Sequence, residues 1–390
     1  MKIRFITILI ALLVINKANA ISNYMAIIKE QVLETKIIEG RLYIHVKLNE
    51  KLTGYMLFDN GASRCVIYKQ HLNNLGLKIT GEVKVSLASG ESGIPITEDI
   101  DLNLSGLVSK IPSAYVIEIT HNDICENIIG TIGSNLIDQF NWSIDLSKNE
   151  VKIKSEKYYD AKARYLTYPE IEGKSVYLQG QILNDNVYFF VDFGYDGELL
   201  IPSKHRREMG LFSKENKGYR FIGNLGIPVI NNVPNTIEVI TVNYISLGGL
   251  NIKNVNATVG NFNKFNLGTK ILSNYKIHLN CGERTIGFIS LKSTPVEMLP
   301  NQDFGLDFNY STDDKKILVN RIFEHYEDKK DFHIGQIVDK INGKSVSDFS
   351  NDCEINKYIL KCRSKKSFQI TIKNKTYTLI KEKVPQIAIK

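Results

Sequence analysis

Tyr55-Met56-Leu57-Phe58-Asp59-Asn60-Gly61-Ala62-Ser63 and Val187-Tyr188-Phe189-Phe190-Val191-Asp192-Phe193-Gly194-Tyr195-Asp196 follow one pattern. In each, an apolar and aromatic run that reads as a strand ends in Asp-x-Gly. Tyr43-Ile44-His45-Val46 stands before the first and Tyr177-Leu178 before the second, while Cys65-Val66-Ile67 and Leu199-Leu200-Ile201 follow them. Short helical stretches containing His71 and His205 then stop at Gly76-Leu77 and Gly210-Leu211. Asp59 lies 12 residues before His71 and 17 before Gly76; Asp192 lies 13 before His205 and 18 before Gly210, so one inserted residue accounts for both differences.

Further on, Ile129-Gly130-Thr131, Ser134-Asn135 and a strand at 142–146 match Leu267-Gly268-Thr269, Ser273-Asn274 and a strand at 275–279. Self-similarity at so long a period marks a duplicated unit and predicts two related lobes, 36–155 and 171–290. Short β-branched runs broken by Gly, Asn and Pro make both lobes mainly β and barrel-like. In the first, the stretch around Ala88-Ser89-Gly90 is the turn of a projecting hairpin.

After Pro295 and Pro300 the chain becomes lysine-rich, which predicts a linker at 291–300 and a third unit at 301–384. There Gly305-Leu306-Asp307-Phe308 precedes a strand at 316–320, an Asn342-Gly343 hairpin turn and strands at 368–372 and 376–380.

At the other end, Lys2 and Arg4 precede an apolar run at 5–15, and Ala18-Asn19-Ala20 offers small residues for cleavage. Residues 1–20 therefore read as a signal peptide, with export to a periplasmic or extracellular destination. The run is too short to span a bilayer, so membrane attachment is expected only through an uncleaved signal segment. Removing Lys2, Arg4 and Lys17 takes the net charge from +7 to +4. No basic stripe with interleaved aromatics appears, which excludes a nucleic-acid groove. Five cysteines leave at least one thiol unpaired; Cys353 and Cys362 are near enough in sequence for a bridge, unless a helix holds them apart.

Asp-x-Gly occurs three times, but Asp303-Phe304-Gly305 lacks the repeat context. Asp59 and Asp192 each end an apolar strand at the same place in a duplicated lobe. Two such turns meeting near a pseudo-twofold axis would bring the carboxyls together. Like charges ~3 Å apart cannot both ionise, so the pair would share one proton and act as base and acid on one water. Other chemistries fail on spacing: Val338 stands where a phosphate loop ending at Gly343-Lys344-Ser345 needs glycine, and His-Glu-x-x-His and Gly-x-Ser-x-Gly are absent. His121 with Cys125 is one incomplete metal pair.

These residues resemble the retropepsin and pepsin-like aspartic peptidases in their single-chain, two-lobe form. Phe58, Asp59, Gly61 and Ala62 match the family motif in the first lobe, with Ile128-Ile129-Gly130 beneath, and Asp192 and Gly194 match in the second, with Leu267-Gly268. The resemblance implies an aspartic endopeptidase needing no metal or other cofactor, with the hairpin at Ser89 and Gly90 as a flap over a peptide or protein substrate. The family's cross-loop hydroxyls are replaced by Asn60 and Phe193, Tyr195 is large where the family is small, and Asn266 is polar where it is apolar. The alternative is a catalytically silent peptide-binding protein. Residues 301–384 resemble a PDZ domain, which implies a C-terminal peptide ligand at Gly305, Leu306, Asp307 and Phe308, with Asp307 in place of a glycine.

Overall fold

The computed structural model describes residues 29–383 apart from 88–89, 119–124, 171–174, 206–218, 224–234, 293–295, 299–301, 313 and 324–331. The signal segment 1–20, Ser89, His121 and the stop at Gly210-Leu211 lie outside the described residues. The architecture is mainly β, as the sequence predicts: barrel-like sheets, then a smaller β/α unit.

Strand Arg41–Leu48 sends Leu42, Ile44, Val46 and Leu48 into the core at the two-residue period of a strand. It hairpins onto Leu52–Phe58 through Asn49 and Glu50, at φ 46° and 55°, a turn whose twist suits the strands it joins. Leu52–Phe58 pairs in parallel with Ile128–Ile132, which pairs antiparallel with Val66–Tyr68. The second lobe repeats this weave. Asp185–Val191 runs parallel to Phe265–Leu267, which is antiparallel to Leu199–Pro202.

A six-stranded sheet lies between the lobes, where Asn141–Asp145 pairs antiparallel with Tyr275–Asn280 and Trp142 faces Leu279. One apolar core runs through both lobes, from Leu33 to Met298.

The register corrects one expectation. Asp59 N–H donates to Ile132 O at 3.0 Å and Asp192 N–H to Leu267 O at 2.9 Å, while Ser134 N–H and Thr269 N–H reach Ala62 O and Tyr195 O, each at 2.8 Å. Ile132-Gly133-Ser134 is therefore the counterpart of Leu267-Gly268-Thr269, three residues beyond the Ile129-Gly130-Thr131 match. The repeated apolar-Gly pattern of the strand misleads, because only hydrogen bonding identifies which glycine underlies the loop. Gly133 and Gly268 each precede a four-residue helix, Ser134–Ile137 and Thr269–Leu272.

The expected linker is also corrected in part. Val296–Glu297 adds as a parallel edge strand beside Ile252 and Lys253, and Val296 and Met298 are buried in the two-lobe core. Apolar side chains two residues apart, too valuable to leave in water, pull the segment onto the sheet.

The C-terminal unit has its own core, Phe304 to Leu379. Helix Asp352–Arg363 is capped by Asn351, whose Oδ1 accepts Glu354 N–H at 3.0 Å, and buries Ile355, Ile359 and Cys362 at helical spacing. Cys353 and Cys362 lie on this one helix, about 13 Å apart along its axis. They do not pair; Cys353 bonds to Cys125 of the first lobe and Cys362 is a buried free thiol. Strand Lys316–Phe323 pairs antiparallel with Tyr219–Gly223, so the unit extends the second lobe's sheet while its disulfide holds the first.

Candidate active site

Both Asp-x-Gly loops emerge from buried strand ends, Phe58 and Val191, and each aspartate folds back on its own turn. Asp59 Oδ1 accepts Gly61 N–H at 2.7 Å and Ala62 N–H at 3.2 Å. Asp192 Oδ1 accepts Gly194 N–H at 2.9 Å, and its Oδ2 accepts Asn266 Nδ2–H at 2.7 Å.

The two loops are locked together by one side chain. Asn60 Nδ2–H donates to Val191 O at 2.6 Å, and Asn60 Oδ1 accepts Phe193 N–H at 2.9 Å. A primary amide has both a donor and an acceptor end, so Asn60 grips the opposite loop on either side of Asp192. Its own carbonyl accepts Ser134 Oγ–H at 3.0 Å. Phe193 makes no such bond with its side chain; the ring is fully buried, edge-on to Phe58 with centroids 5.4 Å apart. Packing thus holds the second loop from below and Asn60 holds it from the side.

Two glycines set how closely the loops approach. A methyl on Gly194 would stand 2.4 Å from Asp59 Cγ and 2.7 Å from its Oδ2. One on Gly61 would stand 2.9 Å from Asp59 Oδ1 and 3.4 Å from Asp192 Oδ1, so both carboxyl oxygens border one small space. Tyr195 is accommodated because Gly197 and Gly268 leave room for its ring, and its hydroxyl bonds with the Thr258 side chain.

Burial pushes Asp59 up from the ordinary carboxylate range, against the pull of the Gly61 and Ala62 amides and of Lys264 and Arg41. Burial, and next the charge of Asp59, pushes Asp192 up to about 7, opposed by the Gly194 amide, Lys264 and Asn266. The protons of two such adjacent groups belong to the pair rather than to either member. Arg41 pairs with Asp196 of the second loop at 3.1 Å, a further tie between the lobes.

Of the predicted site residues, Asp59, Asn60, Gly61, Ala62, Asp192, Phe193 and Gly194 meet in one place, with Tyr195 behind them. Gly90 closes the hairpin of Ile79–Leu87 and Gly90–Thr97, paired with Leu87. Gly305, Leu306, Asp307 and Phe308 belong to the C-terminal unit, where Asp307 Oδ1 accepts Phe308 N–H at 2.9 Å and the carboxylate pairs with Arg363 and, at 3.3 Å, Arg321. The contribution of Lys264 and Arg41 was not read from the sequence. The alternation Lys264-Phe265-Asn266-Leu267, polar on one face and apolar on the other, was the signal for Lys264.

Replacing Phe193 by threonine removes the ring from a filled core and buries a hydroxyl. The expected result is a loss of about 2–4 kcal/mol, read as a lower urea midpoint, with the Asn60 bonds to the backbone intact.

A family model described as aspartyl protease matches residues 44–136, from strand Arg41–Leu48 through the Asp59 loop to Gly133 and the helix it precedes. A search of curated proteins returns no match. The match, and the loop geometry inside it, make this stretch an aspartyl protease-like domain.

Proposed function

We propose that the protein is an exported aspartic endopeptidase that hydrolyses peptide bonds with a water held between Asp59 and Asp192. The observation that carries this reading is the pair of hydrogen bonds that Asn60 makes across the loops, which supplies the coupling that the Phe193 side chain cannot. Two N–H donors hold each carboxyl: those of Gly61 and Ala62 reach Asp59 Oδ1, and those of Gly194 and Asn266 reach the two oxygens of Asp192. One carboxylate takes a proton from the water as it attacks the carbonyl carbon, and the other protonates the carbonyl oxygen.

The Cys125–Cys353 bond supports an oxidising destination. For the PDZ-like unit, attachment to both lobes supports recruitment of peptide or substrate to the cleft. A peptide C-terminus would have to displace Asp307, which already occupies the Phe308 amide.

Incubation with a mixed peptide library from about pH 3 to pH 8, with and without pepstatin, tests the reading. Cleavage that pepstatin stops is the expected result. No cleavage at any pH, with peptides still bound, would leave the silent binding protein.

A further inference from the structure

Strand Phe265–Leu267 lies beside Asp185–Val191 with Asn266 opposite Phe190. Phe265, Leu267, Phe189 and Val191 enter the shared core, and Phe190 does not. Phe190, Asn266 and, one pleat earlier, Lys264 therefore occupy the other face, where Asn266 bonds to the Asp192 carboxylate. The Lys264 ammonium lies 3.8 Å from the Phe190 ring centroid. The edge of that ring, Cε1, is 3.3 Å from the point beside Gly61 that also borders Asp192 Oδ1. A cation is thus fixed beside the reacting pair on the second-lobe side. The matching strand of the first lobe, Ile128–Ile132, carries no charged residue. Arg41, the other cation acting on the pair, is bonded to Asp196.

Building on the peptidase reading, we propose that Lys264 selects substrates bearing an acidic side chain, Asp or Glu, next to the scissile bond on the second-lobe side. An ammonium has three donors, so a bond it already makes leaves others for a ligand. The ammonium is already held over the Phe190 ring, which limits the freedom lost on binding. A charge-assisted bond to a carboxylate in this half-buried place discriminates against the neutral amide by about tenfold or more, and a basic side chain there meets direct repulsion.

The test uses peptides identical except for Glu, Gln or Lys at the residues flanking the scissile bond. They are assayed for cleavage by the wild type, Lys264→Gln and Lys264→Glu, and for binding to the same three chains carrying Asp59→Asn. Wild type is expected to favour Glu over Gln by about tenfold in kcat/KM, Lys264→Gln to lose that preference and Lys264→Glu to favour Lys. An unchanged Glu-to-Gln ratio in Lys264→Gln would overturn the proposal, even if the variant is less stable. Should wild type cut nothing, the peptidase reading fails, and the binding series alone decides whether Lys264 selects acidic peptide. Equal binding of all three peptides, or none, would count against it.

Discussion

Asp192→Asn and Asp59→Asn are each expected to lower peptide cleavage by at least about a thousandfold while making the folded protein more stable at neutral pH. The two effects have one origin. Burial raises both carboxyls above the unfolded value of ~3.9, and the charge of Asp59 raises Asp192 further. A group raised in this way favours the fold fully below its unfolded pKa, and that advantage disappears as pH climbs through the folded pKa, which for Asp192 is about 7. Above that pH the pair is ionised, at a cost to the fold that an amide does not bear. Unfolding free energies of wild type and Asp192→Asn should therefore coincide near pH 3 and separate toward pH 8, by on the order of 1–2 kcal/mol in favour of the variant. Asn266 can adapt to the new amide by turning over, since its Oδ1 is buried without a partner. A variant that is inactive yet no more stable at pH 8 than at pH 3 would show that the carboxyls do not repel.

Asn60→Ala should be the most damaging change that leaves both aspartates in place. It strands Phe193 N–H and Val191 C=O inside the protein, at about 1–3 kcal/mol for each buried group without a partner. A fall in melting temperature of about 10 °C follows for a unit of this size. Activity should drop about a hundredfold even well below that temperature, because the two bonds that fix the second loop on either side of Asp192 are gone. Asn60→Asp keeps the acceptor and loses the donor, and should lie between. If Asn60→Ala retained wild-type kcat/KM at low temperature, packing of Phe193 on Phe58 alone would be setting the geometry.

The duplicated strands and the two aspartates were legible because each copy repeats the other at nearly constant spacing. Asn60 was visible as a departure from a motif, but not as its replacement. The grip depends on where Val191 O and Phe193 N–H stand, about 130 residues along the chain, and no local pattern encodes that. The three-residue error at Gly130 has the same cause: Gly130 and Gly133 each follow an isoleucine, and only cross-strand register separates them. Pairing of Lys316–Phe323 with Tyr219–Gly223 was hidden as well, because a strand's sequence shows its faces and not its edges.

The bond between Cys125 and Cys353 closes a ring of chain 228 residues around. Cross-linking so distant a pair restricts the unfolded chain strongly, by up to about 5 kcal/mol in the chain-entropy account. It also records that synthesis has passed residue 353, for any product ending before it lacks the second thiol. A single backbone cut anywhere inside the ring leaves one molecule on a gel until a reductant is added, and two fragments afterwards. A protein built this way can suffer a nick without shedding either half.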